Sequence, residues 1–224
     1  MANTPYTYTF STVRREEKVK PSLINLYVKQ VENLWFCLGL LNDEVVRFVS
    51  FSPKSLGETL QLGLNLLREG EETVRKVKAS GKVEEIFEIL HAAYMGGGVK
   101  SLPPLAWERL PLFTRKVLRL TLRVPRGFVA SYGDLARALG SSKYSRAVGL
   151  AMALNPFPLL IPCHRIVREN LALGGYRFGV RVKAEILTRE GVGLERRGRS
   201  FKVKPEFRFH GRLYIEKNLC SPSL

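Results

Sequence analysis

Cys163 and His164 stand side by side in Pro162-Cys163-His164-Arg165. A thiolate is a strong, soft nucleophile, and a nearby imidazole either lowers the thiol pKa or accepts its proton. The pair therefore has the parts for nucleophilic displacement. Neighbours on an extended strand point to opposite sides, so His164 is expected to reach Cys163 through a bridging water, with an acidic residue orienting the ring. The same adjacency also suits a small buried hydrophobe beside an ordinary histidine. Cys37 and His91 are not spaced with further ligands as a zinc site, so no metal is expected. The sequence has no glycine-rich phosphate loop and no paired carboxylates. Its three cysteines, Cys37, Cys163 and Cys220, are too few and too scattered for a disulfide framework and predict a reducing setting, cytoplasmic or, in a eukaryote, nuclear.

The elements that must hold Cys163 are readable on both sides of it. Leu34–Leu41 and Glu44–Phe51 are apolar runs around Asn42-Asp43, the pattern of a tight β-hairpin, and Leu23–Val31 alternates as a third strand. Residues 55–80 switch to helical spacing, with Leu56, Leu60, Leu64 and Leu67 on one face. Lys82–Tyr94 reads as a second helix with the stripe Val83, Ile86, Phe87 and Leu90. Gly96-Gly97-Gly98 and Pro103-Pro104 then break the pattern and predict a domain boundary. Thr114–Val124 is a helix closed by Pro125 and Gly127. Ser131–Gly140 and Tyr144–Leu154 form two short helices joined by a few polar residues, the helix-turn-helix spacing. The second of these is rich in small residues: Ala147, Gly149, Ala151 and Ala153. Pro156 ends it, and Leu159-Leu160-Ile161 is expected as a short buried strand leading into Pro162. A last helix, Val180–Arg189, is stopped by Gly191, and alternation at 201–209 suggests one more strand.

Charge is distributed unevenly. The 224 residues carry 36 Lys and Arg against 20 Asp and Glu, a net of +16. Residues 1–110 hold only +1 of this and residues 111–224 hold +15. Such an asymmetry points to a polyanion, most simply nucleic acid. A hydrophobic content of 45% predicts a globular chain. No run approaches the ~18 consecutive apolar residues of a membrane span, so no membrane partner is expected. Residues 1–10 show no basic region followed by an apolar run, so no signal peptide is expected.

The string Ile161-Pro162-Cys163-His164-Arg165-Ile166-Val167 resembles the active-site signature of the O6-alkylguanine-DNA alkyltransferases. Pro125-Arg126-Gly127, Ser131-Tyr132-Gly133-Asp134-Leu135-Ala136, Arg146-Ala147-Val148-Gly149, Met152, Asn155-Pro156, Gly175-Tyr176 and Leu187-Thr188-Arg189-Glu190-Gly191 follow the same family in order. The resemblance covers roughly residues 108–195. It implies single-turnover, irreversible transfer of an alkyl group from guanine O6 in duplex DNA to Cys163, after the nucleotide has been flipped out of the stack. His164 would be the base, acting through a water, and Glu190 would orient it. Tyr176 would assist the leaving guanine, and Asn155 would brace the cysteine loop. Tyr132, Arg146, Ser131, Ala147 and Arg165 would meet DNA, with Arg146 filling the vacated stack. Pro158, Ile166, Phe178 and Lys183 would line the substrate pocket, Phe178 narrowing it.

The expected architecture is α/β (α+β). A mixed-sheet domain with helices over 1–104 precedes a mostly helical domain over 105–195 that contains the helix-turn-helix, and a basic extension over 196–224 is expected to add DNA affinity. The resemblance implies no cofactor and a monomer. Three other classes stay open: a protein that binds lesions without repairing them, whose family relatives replace the acceptor cysteine; a Cys-His hydrolase; and a plain helix-turn-helix regulator.

Overall fold

The structure is a computed structural model that describes residues 22–67, 72–78, 81–198 and 200–211. The first ten residues, discussed above for a signal, and Cys220 lie outside them. Three antiparallel strands open the fold: β1 (Ser22–Val31), β2 (Leu34–Leu41) and β3 (Val45–Ser52). Asn42 and Asp43 both take left-handed φ values, 51° and 62°, as a two-residue turn matched to strand twist requires. The alternation of β2 decides both faces of the sheet. Phe36, Leu38 and Leu40 enter the main core, while Cys37 and Gly39 face the other side.

That second side is covered by α1 (Leu56–Leu64). The helical spacing expected over 55–80 ends at residue 64, and β4 (Glu72–Lys76) follows and pairs in parallel with β1. The sheet order is therefore β3-β2-β1-β4. Of the leucine stripe, Leu60 and Leu67 pack partly buried against the Cys37–Phe48 side, while Leu64 is exposed and the fully buried positions of α1 are Thr59 and Gly63. Close packing explains this. A Cβ on Gly63 would sit 2.6 Å from the Phe48 ring, so only glycine lets the helix settle on that side chain. α2 (Lys82–Tyr94) buries Val83, Ile86, Phe87 and Leu90, the stripe expected from the sequence.

The C-terminal half contains α3 (Leu112–Thr121), which starts before and stops short of the expected 114–124 helix because residues 122–124 form a turn. Then come β5 (Ala130–Ser131), α4 (Tyr132–Ala138), α5 (Ser145–Ala153), the two-residue β6 (Ile166–Val167), which pairs in parallel with β5, and α6 (Val180–Arg189). One apolar cluster runs from Phe36, Phe51 and Phe87 through Leu118 and Val148 to Ile161 and Cys163, crossing the Pro103-Pro104 connector. Backbone hydrogen bonds cross it too: Val46 N to Pro104 O at 2.8 Å and Val49 N to Pro156 O at 2.8 Å.

The expected 196–224 extension begins inside a hairpin, since β7 (Leu194–Arg197) pairs with β8 (Ser200–Val203). Val203 is buried, and Phe201 and Phe207 pack against the cluster of Val129, Leu171 and Leu187. Phe207 and Phe209 bracket Val129 with backbone bonds of 2.9 and 2.8 Å. Among the described residues no helix is long and apolar enough to cross a membrane.

Candidate functional site

The loop that presents Cys163 corrects one local expectation. Leu159-Leu160-Ile161 is buried but turns instead of forming a strand. Pro158 bridges Ile161, Ile161 N bonds Phe157 O at 2.8 Å, and Leu159 takes φ +70°. A left-handed leucine costs on the order of 1 kcal/mol and persists here because the side chain is locked in the core at 2% exposure. Asn155 spans this turn: its Oδ1 accepts from Phe157 N at 3.0 Å and its Nδ2 donates to Ile161 O at 3.3 Å. Cys163-His164-Arg165 is a single 3-10 turn rather than extended chain. The short helix still sends the two side chains to different surroundings.

Cys163 faces a cavity of about 430 Å³ lined by Tyr132, Gly149, Asn155, Pro158, Tyr176 and Phe178, among others. His164 is buried behind it, with Nε2 3.1 Å from Glu190 Oε1. Arg165 grips the same carboxylate with Nε at 3.0 Å from Oε2 and Nη2 at 2.7 Å from Oε1, and gives Nη1 to Val124 O at 2.8 Å. Burial alone would raise the Glu190 carboxyl. The His164 hydrogen bond and the Arg165 charge outweigh it and bring the pKa to about 2. A carboxylate accepts only, so Nε2 carries the proton and Nδ1 holds the lone pair. Burial lowers the His164 pKa, keeping the ring neutral, and Nδ1 is buried with no protein partner.

Burial also pushes the Cys163 thiol up. The Asn155 side chain, then the charges of Lys183 and Arg177, pull it back. The Tyr176 hydroxyl is buried without a partner, and burial, then Cys163, hold its pKa well above the usual value. Phe178 stacks on Phe51 of β3 with ring centroids 4.0 Å apart and meets Tyr176 edge-on at 5.3 Å.

Several expected site residues lie elsewhere. Lys183 and Ile166 do not line the cavity. Lys183 is 1% exposed and donates to Ile166 O at 2.5 Å and Leu173 O at 2.6 Å, with burial pulling its pKa down to about 7. Ile166 is core. Arg165, expected at DNA, spends its guanidinium on Glu190 and Val124. Ser131, also expected at DNA, is buried: its hydroxyl caps α4 by accepting from Asp134 N at 2.9 Å and donates to Glu169 at 2.5 Å. Pro158 and Phe178 line the cavity as expected.

Tyr132 is half-buried at the first position of α4 and lines the cavity, while Arg146 and Ala147 are exposed on α5. Leu150 and Leu154, at 62% and 52% exposure, continue that face and were not singled out by the sequence reading. Gly133 admits Glu169 to the start of α4, since a Cβ there would lie 2.4 Å from its carboxylate. Among the described residues no group of three or more His, Cys, Asp or Glu is placed to hold a metal.

Comparison with known proteins adds to this geometry. Residues 112–192 match the family model described as 6-O-methylguanine DNA methyltransferase, DNA binding domain. A methylated-DNA–protein-cysteine methyltransferase of Methanocaldococcus jannaschii is 46% identical over 85 residues, 38% of this chain and 49% of the relative. The chain thus spans about half the length of that relative. The protein of the same name from Thermococcus kodakarensis is 38% identical over 132 residues, 58% of this chain and 73% of the relative. A crystal structure of O6-methylguanine-DNA methyltransferase from the hyperthermophilic archaeon Pyrococcus kodakaraensis superposes with a TM-score of 0.58 at 29% identity, covering 75% of this chain and 99% of the other.

Proposed function

The chain belongs to the methylated-DNA–protein-cysteine methyltransferase family, and from that premise we propose that it repairs O6-alkylguanine in duplex DNA by moving the alkyl group to Cys163, once and irreversibly. The observation that carries the proposal is the Cys163 thiol on a cavity beside the Tyr176 hydroxyl, backed by a neutral imidazole whose proton Glu190 fixes on Nε2.

Chemistry follows from these positions. Buried, the thiol rests protonated and needs a base. Nδ1 of His164 is the free basic nitrogen and takes the proton through one water, and the resulting imidazolium is stabilised by Glu190. The thiolate pair forms the S–C bond, the C–O6 pair returns to the guanine, and the base leaves as neutral guanine after taking up one proton, with the Tyr176 hydroxyl donating to it. Asn155 keeps the loop rigid while the cysteine attacks. A cysteine thiolate is a poor leaving group from an alkyl carbon, and among the described residues none near Cys163 is placed to remove the alkyl group, so each molecule acts once.

The target atom lies inside the duplex, so the nucleotide is flipped into the cavity. Tyr132 at the cavity rim meets the extruded nucleotide, and Arg146 enters the vacated stack. α4 and α5 act as the helix-turn-helix. The exposed face of α5, with Ala147, Leu150 and Leu154 beside Arg146, is slim and apolar enough for a minor groove only ~6 Å wide. The +15 half supplies phosphate contacts that are largely indifferent to sequence. The protein works as a monomer without a cofactor. Incubation with duplex DNA tritiated on the O6-methyl group tests this reading. Label should accumulate in protein to one equivalent and stop; continued release of label beyond one equivalent would indicate a hydrolase, and DNA binding without transfer a lesion-binding protein.

A further inference from the structure

Arg177 lies on the wall of the cavity. It follows Tyr176 in the loop after Gly175, lines the cavity, and donates Nη2 to Ala153 O at the end of α5. Its Nη1 is shielded from solvent and has no partner. Leaving one donor of a guanidinium buried and unsatisfied is costly, and such groups are uncommon in folded proteins. The Tyr176 hydroxyl, in the same cavity, is likewise buried and unpartnered. The remaining wall is largely apolar, with Met152, Pro158 and Phe178. A methyl group offers no acceptor to either donor. An adduct whose far end carries a carboxylate would meet the charge of Arg177, the one charged side chain among the described residues that line the cavity.

Resting on the alkyltransferase reading of this site, we infer that Arg177 is a specificity residue that favours O6-alkyl groups ending in a carboxylate, of which carboxymethyl is the smallest. The transfer itself is unchanged. The Cys163 thiolate bonds the methylene carbon, the C–O6 bond breaks toward guanine, guanine takes up a proton, and Cys163 ends as an S-carboxymethyl thioether. Arg177 holds the carboxylate before and after the step. Burial, opposed by Cys163 and Tyr176, lowers the Arg177 pKa, which is the cost an incoming anion would relieve. Guanidinium–carboxylate pairing is directional and charge-assisted, so the discrimination should be large.

Single-turnover rates on duplexes carrying O6-methylguanine, O6-carboxymethylguanine or O6-isobutylguanine, the last a neutral group of similar shape, test the inference. β-Branching slows displacement on isobutyl in every variant, so the carboxymethyl-to-isobutyl rate ratio of the unaltered protein should exceed that of Arg177→Met by at least about tenfold, the factor expected of one charge-assisted hydrogen bond. Arg177→Met should lose about tenfold or more on carboxymethyl beyond whatever loss, through the Cys163 thiol, it shows equally on methyl and isobutyl. Arg177→Lys should retain part of the preference. Equal losses on all three substrates would overturn the inference and make Arg177 an activator of the thiol or a structural tie. No preference in the unaltered protein would overturn it as well. Failure of the unaltered protein on O6-methylguanine would instead refute the alkyltransferase reading.

Discussion

Arg208 lies 2.9 Å from the Asp134 carboxylate, tying the segment after β8 to the first turn of the helix that carries Tyr132. The same guanidinium reaches Glu169 at 2.8 Å, and Glu169 accepts the Ser131 hydroxyl, so one network joins the extension, the α4 cap and the loop after β6. Arg208→Met should loosen α4. We expect a stability loss of about 1 kcal/mol, modest because Glu169 is half in solvent. Duplex repair should fall more than reaction with free O6-benzylguanine. Thermal melting and the two rates check this; equal loss on both substrates would argue against a role at the DNA face.

A chain ending at Glu195 removes β8 with Val203 and Phe207 from a cluster that includes Leu187, next to the segment bearing Glu190. Losing the buried Val203 and the partly buried Phe201 and Phe207 costs several kcal/mol, on the order of 1–2 each. The truncated chain should melt earlier and react more slowly with the free base as well as with DNA. A truncation that changed only DNA affinity and its salt dependence would restore the simpler view of a basic tail.

Glu190 governs the acid arm of stability. Its folded pKa, about 2, lies below the ordinary 4.5, so its stabilisation is complete above that ordinary value and is lost as pH falls from about 4.5 toward 2. Glu190→Gln should flatten denaturation curves across that window. It should also cost about 3 kcal/mol or more at neutral pH, because Arg165 loses its buried partner. Transfer should slow by about a hundredfold, since the His164 proton is no longer fixed on Nε2 by a carboxylate. An unchanged rate would remove Glu190 from the relay.

Phe51 and Phe178 close one wall of the cavity by stacking at 4.0 Å. Phe178→Ala should widen the cavity, raising the rate with O6-benzylguanine relative to O6-methylguanine, at a stability cost of about 3 kcal/mol. Comparison of the two rates in the variant decides the point; an unchanged ratio means that this wall does not set adduct size.

Much of the fold was legible because it is written locally. The Asn42-Asp43 turn and the stripe of Lys82–Tyr94 each follow from neighbouring residues. The 55–80 segment was misjudged because leucines at helical spacing carry no sign of Gly63, whose lack of a side chain decides the buried face. Of the candidate site, the cysteine, histidine and glutamate were readable as a motif. The hydrogen bonds of Lys183 and Arg165 were not, since a basic residue near a motif looks the same whether it faces DNA, lines a pocket or holds two carbonyls. The Phe51–Phe178 stack joins distant segments and leaves no local signal.

The central claim is that Cys163 itself receives the alkyl group. Peptide mass mapping after reaction with O6-methylguanine duplex tests it most directly, because Cys37 supplies an internal control: it is buried in the sheet with a thiol pushed up to about 12. One methyl per protein should appear on the peptide containing Cys163, none on that containing Cys37, and none anywhere in Cys163→Ala. Methyl on another residue, or a repaired duplex with an unmodified Cys163, would contradict the account.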